Sequence, residues 1–94
     1  MRPTNATPMI VQMPDVEMHV VDGDVFLVCD RSATIHHPDP MSAVIWGQFG
    51  EPESVENILA LLCDAFPDHD SAILAKDLNK VVDTFLELQL VRRV

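Results

Sequence analysis

The apolar period of this chain changes once, at Pro38, and that change limits its fold more than any other feature. Before Pro38 the residues alternate: Val16, Met18 and Val20 fall on one side, Glu17 and His19 on the other. A period of two is that of a half-buried strand. After Pro38 apolar residues recur three and four apart, the spacing of a helix with one buried face. The chain has 94 residues, enough for one domain with one modest core. Strands followed by helices in one domain make it α+β.

The strand half divides into three. Asp22-Gly23 follows the first alternating run and is a tight-hairpin signal, because Gly takes a positive φ at little cost. Val25-Phe26-Leu27-Val28-Cys29 is apolar throughout and is expected to be a strand covered on both faces. Asp30-Arg31-Ser32 makes a second short turn, and Ala33-Thr34-Ile35-His36-His37 a third, weaker strand. Short turns between consecutive strands give a three-stranded antiparallel meander, which alone is marginal and needs cover on one face.

The helical half supplies that cover. Asp39 can cap a helix whose first position is Pro40, where the missing N–H costs nothing. Met41, Val44, Ile45 and Gln48/Phe49 follow at helical spacing, and Gly47 and Gly50 end the helix. Ser54 caps a second helix with a stripe of Val55, Ile58, Leu59, Leu62, Ala65 and Phe66, stopped by Pro67. Asp70 or Ser71 opens a third, with Leu74, Leu78, Val81, Val82, Phe85 and Leu86 on one face, running to about Gln89. The expected order is βββααα. Trp46, the sole Trp, is expected at the junction of helix and sheet. Residues 1–14 hold Pro3, Pro8 and Pro14 and no steady period; they read as a flexible tail docked at most through Met9, Ile10 and Val11. The domain proper is residues 15–94.

Charge and cysteine usage exclude whole classes of function. Fifteen acids against six Lys and Arg give a formal net charge of −9. Such a chain repels nucleic-acid phosphates and anionic membranes, yet at 48% apolar it is no acidic disordered tail. No apolar run approaches the ~20 residues of a membrane helix. The start, Met-Arg-Pro-Thr-Asn, lacks a signal peptide's apolar stretch. Cys29 and Cys63 make no Cys-x-x-Cys and read as reduced, so the expected compartment is the cytoplasm. There the Asn5-Ala6-Thr7 sequon carries no weight.

A search for chemistry finds little. No Gly-rich loop follows a strand to cradle phosphate. Ser32, Ser42, Ser54 and Ser71 sit in turn or helix-start contexts, and Cys29 lies in an apolar strand, where a thiol is inert. The most polar cluster is His36-His37-Pro38-Asp39, with His19 a candidate cross-strand neighbour. Two His and a carboxylate suit a divalent metal, but successive strand residues point to opposite faces, so His36 and His37 cannot easily share one ion. His69 reads as a solvated loop residue. Lys76, Asp77 and Lys80 lie on the third helix away from its apolar stripe, either as a solvated face or as the border of a groove that meets an acidic peptide. No catalytic residue, metal or cofactor is expected.

The third strand is a better clue. In a meander the first and third strands are edges, and an open edge is a row of unpaired N–H and C=O groups that normally needs protection. Ala33–His37 contains no Pro or Lys to block pairing. An edge of this kind beside a helix accepts an added peptide strand, unless the N-terminal tail or a loop covers it.

The layout as a whole resembles a known family. Val25-Phe26-Leu27 in the second strand, Ala43-Val44-Ile45-Trp46 in the first helix, Ser54-Val55-Glu56-Asn57-Ile58 opening the second and Asp83-Thr84-Phe85-Leu86-Glu87-Leu88 near the end are similar in order and spacing to the PqqD-like family. Those are small winged-helix domains, also called precursor-peptide recognition elements, and the resemblance spans about residues 15–94. It implies a non-catalytic peptide chaperone. Such domains bind the leader of a ribosomally made precursor by β-strand addition and present it to a modifying enzyme, often a radical S-adenosylmethionine enzyme. Carried onto this chain, the backbone of Ala33, Thr34, Ile35, His36 and His37 would pair with the leader. Side chains of Ile35, Asp77, Lys80, Val81 and Thr84 would line the cleft. Three alternatives stand beside it. One is a winged-helix DNA-binding regulator, although Val55–Phe66 carries Glu56 and Asp64 and no Lys or Arg. The second is a metal-dependent protein using His19, His36 or His37. The third is an assembly subunit whose open edge pairs with a second copy as a homodimer.

Overall fold

Two adjacent residues with positive φ, Asp22 (52°) and Gly23 (84°), close the first hairpin. A two-residue turn of this hand matches the right-handed twist of the strands it joins. The computed structural model describes residues 9–94. The hairpin joins β2 (Val16–Val21) to β3 (Asp24–Cys29), and β4 (Thr34–His36) pairs with the other side of β3. All pairings are antiparallel, with Val16 opposite Cys29, and Leu27 opposite both Met18 and His36. This is the meander expected from the sequence.

Three helices follow, so the βββααα order holds. They are α1 (Pro40–Gly47), α2 (Val55–Ala65) and α3 (Ser71–Glu87). Each start is capped by the expected side chain. Asp39 Oδ1 accepts from the Ser42 amide (2.7 Å), Ser54 Oγ from the Asn57 amide (3.1 Å) and Asp70 Oδ1 from the Ala72 amide (2.8 Å). These bonds satisfy amides that a helix leaves without partners at its first turn. After α1 the chain makes one 3-10 turn, Gln48–Gly50, which seats Phe49 fully inside the core.

The core joins the inner face of the meander to the apolar stripes of the helices. Leu27 and Cys29 from β3 meet Ile45, Trp46 and Phe49, Ile58 and Leu62 of α2, and Leu74, Leu78, Val82 and Phe85 of α3. The outer face of β3 is only half covered: Phe26 and Val28 stay partly exposed. Met18 and Val20 share the inward side of β2 yet remain 50% and 63% exposed.

A second sheet departs from the sequence reading. Met9–Gln12 is not a loose tail segment but a strand, β1, at the centre of three. On one side it pairs with β5 (Glu53–Ser54), on the other with β6 (Val91–Arg93), two strands the sequence reading did not include. Ile10, Leu90 and Val91 are buried by this pairing. Asn5-Ala6-Thr7, Pro3 and Pro8 lie outside the described residues.

Trp46 joins the two layers. Its indole Nε1–H donates to the Leu90 carbonyl (3.1 Å), and its own carbonyl accepts from Gln12 Nε2 (2.9 Å). The ring sits at a junction of helix and sheet, but against β1 and the approach to β6. Arg31, in the turn between β3 and β4, ties three turns together. It donates through Nε to Asp15 Oδ2 (2.6 Å) and through Nη1 to Gln89 Oε1. The guanidinium holds the Asp15 carboxyl below its ordinary pKa.

Candidate functional site

Register decides which side chains of β4 can reach a helix. His36 lies opposite Leu27, which is fully buried, so His36 faces inward. Its ring meets Phe85 of α3 edge-on, with centroids 6.3 Å apart. Ile35 lies opposite Val28 and points to the outer face, 69% exposed. His37, just past the strand, stacks on Phe26 at 4.7 Å, and its Nε2 is 3.8 Å from Asp24 Oδ1.

Between β4 and α3 the surface opens into a cleft of about 410 Å³. One wall is the segment leaving β4: His36, His37, Pro38 and the Asp39 cap. The other is a face of α3 with Lys80, Val81 and Thr84. Phe85 and Ser42 complete the lining. Hydrogen bonds from the backbone and side chain of Ser42 hold the Asp39 carboxyl below its ordinary pKa. The cleft therefore carries one fixed anion at the start of α1 and the Lys80 ammonium on α3. Thr84 Oγ1 donates to the Lys80 carbonyl (3.0 Å), so its proton is engaged inside the helix while the oxygen can still accept.

The structure gathers His36, His37, Lys80, Val81 and Thr84 at this cleft. The side chains of the other four expected residues do not line it. Ile35 is turned away by the alternation of the strand. Asp77 lies on α3 about one turn before Lys80 and does not line the cleft. Thr34 is in β4, with its hydroxyl 2.7 Å from that of Ser32. Ala33 is not in the strand: it has φ 53°, and its amide donates to the Asp30 carbonyl (3.2 Å), so it closes the turn. Pro38, Asp39, Ser42 and Phe85 line the cleft and were not foreseen there. Phe85 reads as core and Asp39 as a cap, and both are those things too. They become walls because the segment from β4 into α1 lies across from α3.

β4 is an edge. Among the described residues no strand pairs with its free side, and Met9–Gln12 is committed to the other sheet. Among the described residues no three His, Cys, Asp or Glu side chains gather where they could hold a metal. Cys29 is enclosed, with its thiol held below the ordinary pKa by hydrogen bonds from Ser32. Among the described residues no helix is long and apolar enough to cross a membrane.

The geometry is that of a cleft beside an open strand edge. The family model described as Coenzyme PQQ synthesis protein D (PqqD) matches residues 24–91. The chain belongs to the PqqD family. The matched stretch opens at the first residue of β3 and contains β4, the cleft and all three helices. PqqD proteins are non-catalytic peptide-binding accessory proteins, and membership implies precursor-peptide recognition in PQQ-type biosynthesis. No curated protein and no solved structure matches the chain significantly.

Proposed function

We propose that this PqqD-family chain is a cytoplasmic peptide chaperone. It binds the leader of a ribosomally synthesised precursor as an added antiparallel strand on β4 and presents the peptide to a radical S-adenosylmethionine enzyme. The observation that carries the reading is the unpaired edge of β4 running beside the cleft against α3. An added strand would take its main-chain hydrogen bonds from Thr34 to His37 and lay alternate side chains into the cleft. One set meets the apolar floor at Val81, His36 and Phe85. Lys80 favours an acidic leader side chain at the rim, and Asp39 disfavours one at the other end. On the outer face the added strand lies beside exposed Ile35, which offers apolar contact there. Nothing in this requires proton transfer.

The test is a titration with leader peptides of the precursor genes beside this one, read by calorimetry. Micromolar binding is expected. Lys80→Glu with Val81→Asp reverses the charge and adds another at the apolar wall, and about tenfold weaker binding, about 1.4 kcal/mol, is expected. Circular dichroism must first show the variant folded. Binding unchanged in a folded variant places the peptide elsewhere. A second copy pairing on β4 would instead appear as a dimer in light scattering that leader peptide fails to dissociate.

A further inference from the structure

A second concavity is larger and more apolar than the cleft. It is a groove of about 660 Å³ between α1 and α2. Its walls are Met41, Val44, Leu61 and Phe66, exposed by 37%, 58%, 52% and 36%, over a floor that includes Ile45 and Leu62. Singly exposed apolar residues need no explanation, but four around one groove mark a contact surface. Both walls are helices whose backbone groups are already bonded, so no strand can add here. The groove takes side chains, as a helix-binding groove does.

Charge says what kind of partner fits. Between Arg31 and Lys76 the chain carries seven acidic residues and no Lys or Arg. This stretch supplies both walls, and Asp64 stands on the groove itself. A second copy would bring the same acidic surface against this one, which like-charge repulsion opposes. A partner with an apolar ridge flanked by Lys or Arg is complementary to it. The groove also lies apart from the cleft. α1 presents Asp39 and Ser42 to the cleft, and Met41, Val44 and Gln48 to the groove. A leader on β4 leaves the groove free, as presentation to an enzyme requires.

We propose that the α1–α2 groove docks the modifying enzyme through an apolar, Lys/Arg-flanked segment of that enzyme, a proposal that rests on the peptide-presenting reading above. The test compares the full chain with Val44→Glu/Leu61→Glu and with Asp64→Lys, both at exposed positions. Leader affinity and affinity for the radical S-adenosylmethionine enzyme encoded beside the gene are measured separately. The expected result is leader binding within about twofold of wild type and enzyme binding at least about tenfold weaker. Wild-type enzyme binding should also weaken from about 50 mM to about 300 mM salt, as screening requires. Undiminished enzyme binding by the folded double variant overturns the proposal. So does wild-type chain that binds leader but no enzyme, or a dimer that the double variant dissociates. Wild-type chain that binds the enzyme through this groove but no leader overturns the peptide reading and leaves the docking surface standing.

Discussion

Trp46 offers the sharpest test of how this fold is held together. The side chain is 4% exposed, and its indole N–H donates to the Leu90 carbonyl at 3.1 Å. That carbonyl also accepts from the Met13 amide at 3.1 Å. Trp46→Ala removes the ring and leaves a cavity between α1 and the β1–β6 pair, at a cost of about 3–5 kcal/mol. Trp46→Phe keeps most of the apolar ring and loses one neutral hydrogen bond, worth about 0.5–1.5 kcal/mol. The Leu90 carbonyl is not orphaned by this change, because Met13 still bonds it. With a modest loss of packing, the Phe variant should cost about 1–3 kcal/mol in all. For a domain of this size each kcal/mol moves Tm by roughly 4–8 °C, so the two variants should melt well apart. Thermal unfolding followed by circular dichroism is the assay, since fluorescence loses its reporter with the only Trp. Refutation takes either of two forms. A Trp46→Ala protein with an unchanged Tm means the ring is not a structural joint. A Trp46→Phe protein as unstable as Trp46→Ala means the hydrogen bond outweighs ring burial.

Acid stability and two glycines give further expectations. Asp15 and Asp39 both have folded pKa values below their unfolded ones, held there mainly by Arg31 and by the Ser42 amide. Their contribution is fully present above an unfolded pKa near about 4 and is lost as pH falls through the lower folded values. Arg31→Ala should therefore flatten the acid limb of a Tm-against-pH curve, and an identical limb would contradict the assignment. Gly23→Ala should cost about 1–2 kcal/mol, because φ is +84° and no atom within 4 Å adds a clash. Gly47→Ala, at a helical φ with equally open space, should instead stabilise by about 0.4–1 kcal/mol. Equal melting shifts for the two would show that backbone conformation does not decide either.

What could be read in advance was whatever local chemistry decides. The Asp22-Gly23 turn, the Asp39, Ser54 and Asp70 caps, and the stripes of α2 and α3 follow from residues within a few positions of one another. β1 and β6 do not. Met9-Ile10-Val11-Gln12 and Val91-Arg92-Arg93 are too short to show a period, and each is a strand because of the other, about 80 residues away in sequence. The same division runs through the cleft. Lys80 could be placed beside a groove from its position on α3, whereas Val81 and Thr84 came only with the family resemblance. Pro38, Asp39 and Ser42 become lining only because the segment from β4 into α1 lies across the cleft from α3. Ile35 was misplaced for a register reason: the β3–β4 pairing that turns His36 inward necessarily turns its neighbour outward.

α1 borders both sites, through Ser42 at the cleft and through Met41, Val44 and Ile45 at the apolar groove, and it has only eight residues. A helix of that length is unstable by itself, so its position is set by what holds it. Asp39 fixes its start. Its end is fixed by Trp46, through the Leu90 carbonyl and the Gln12 side chain. Gln12 belongs to β1 and Leu90 precedes β6, so the small sheet that lines neither site positions the wall of both. A substitution in that sheet, such as Ile10→Ala at 2% exposure, should therefore weaken leader and enzyme binding together. Cleft and groove substitutions should each weaken one. Stability loss alone does not predict that pattern: the Gly23→Ala protein, destabilised at a turn residue that lines neither site, should bind both partners normally at temperatures where it remains folded.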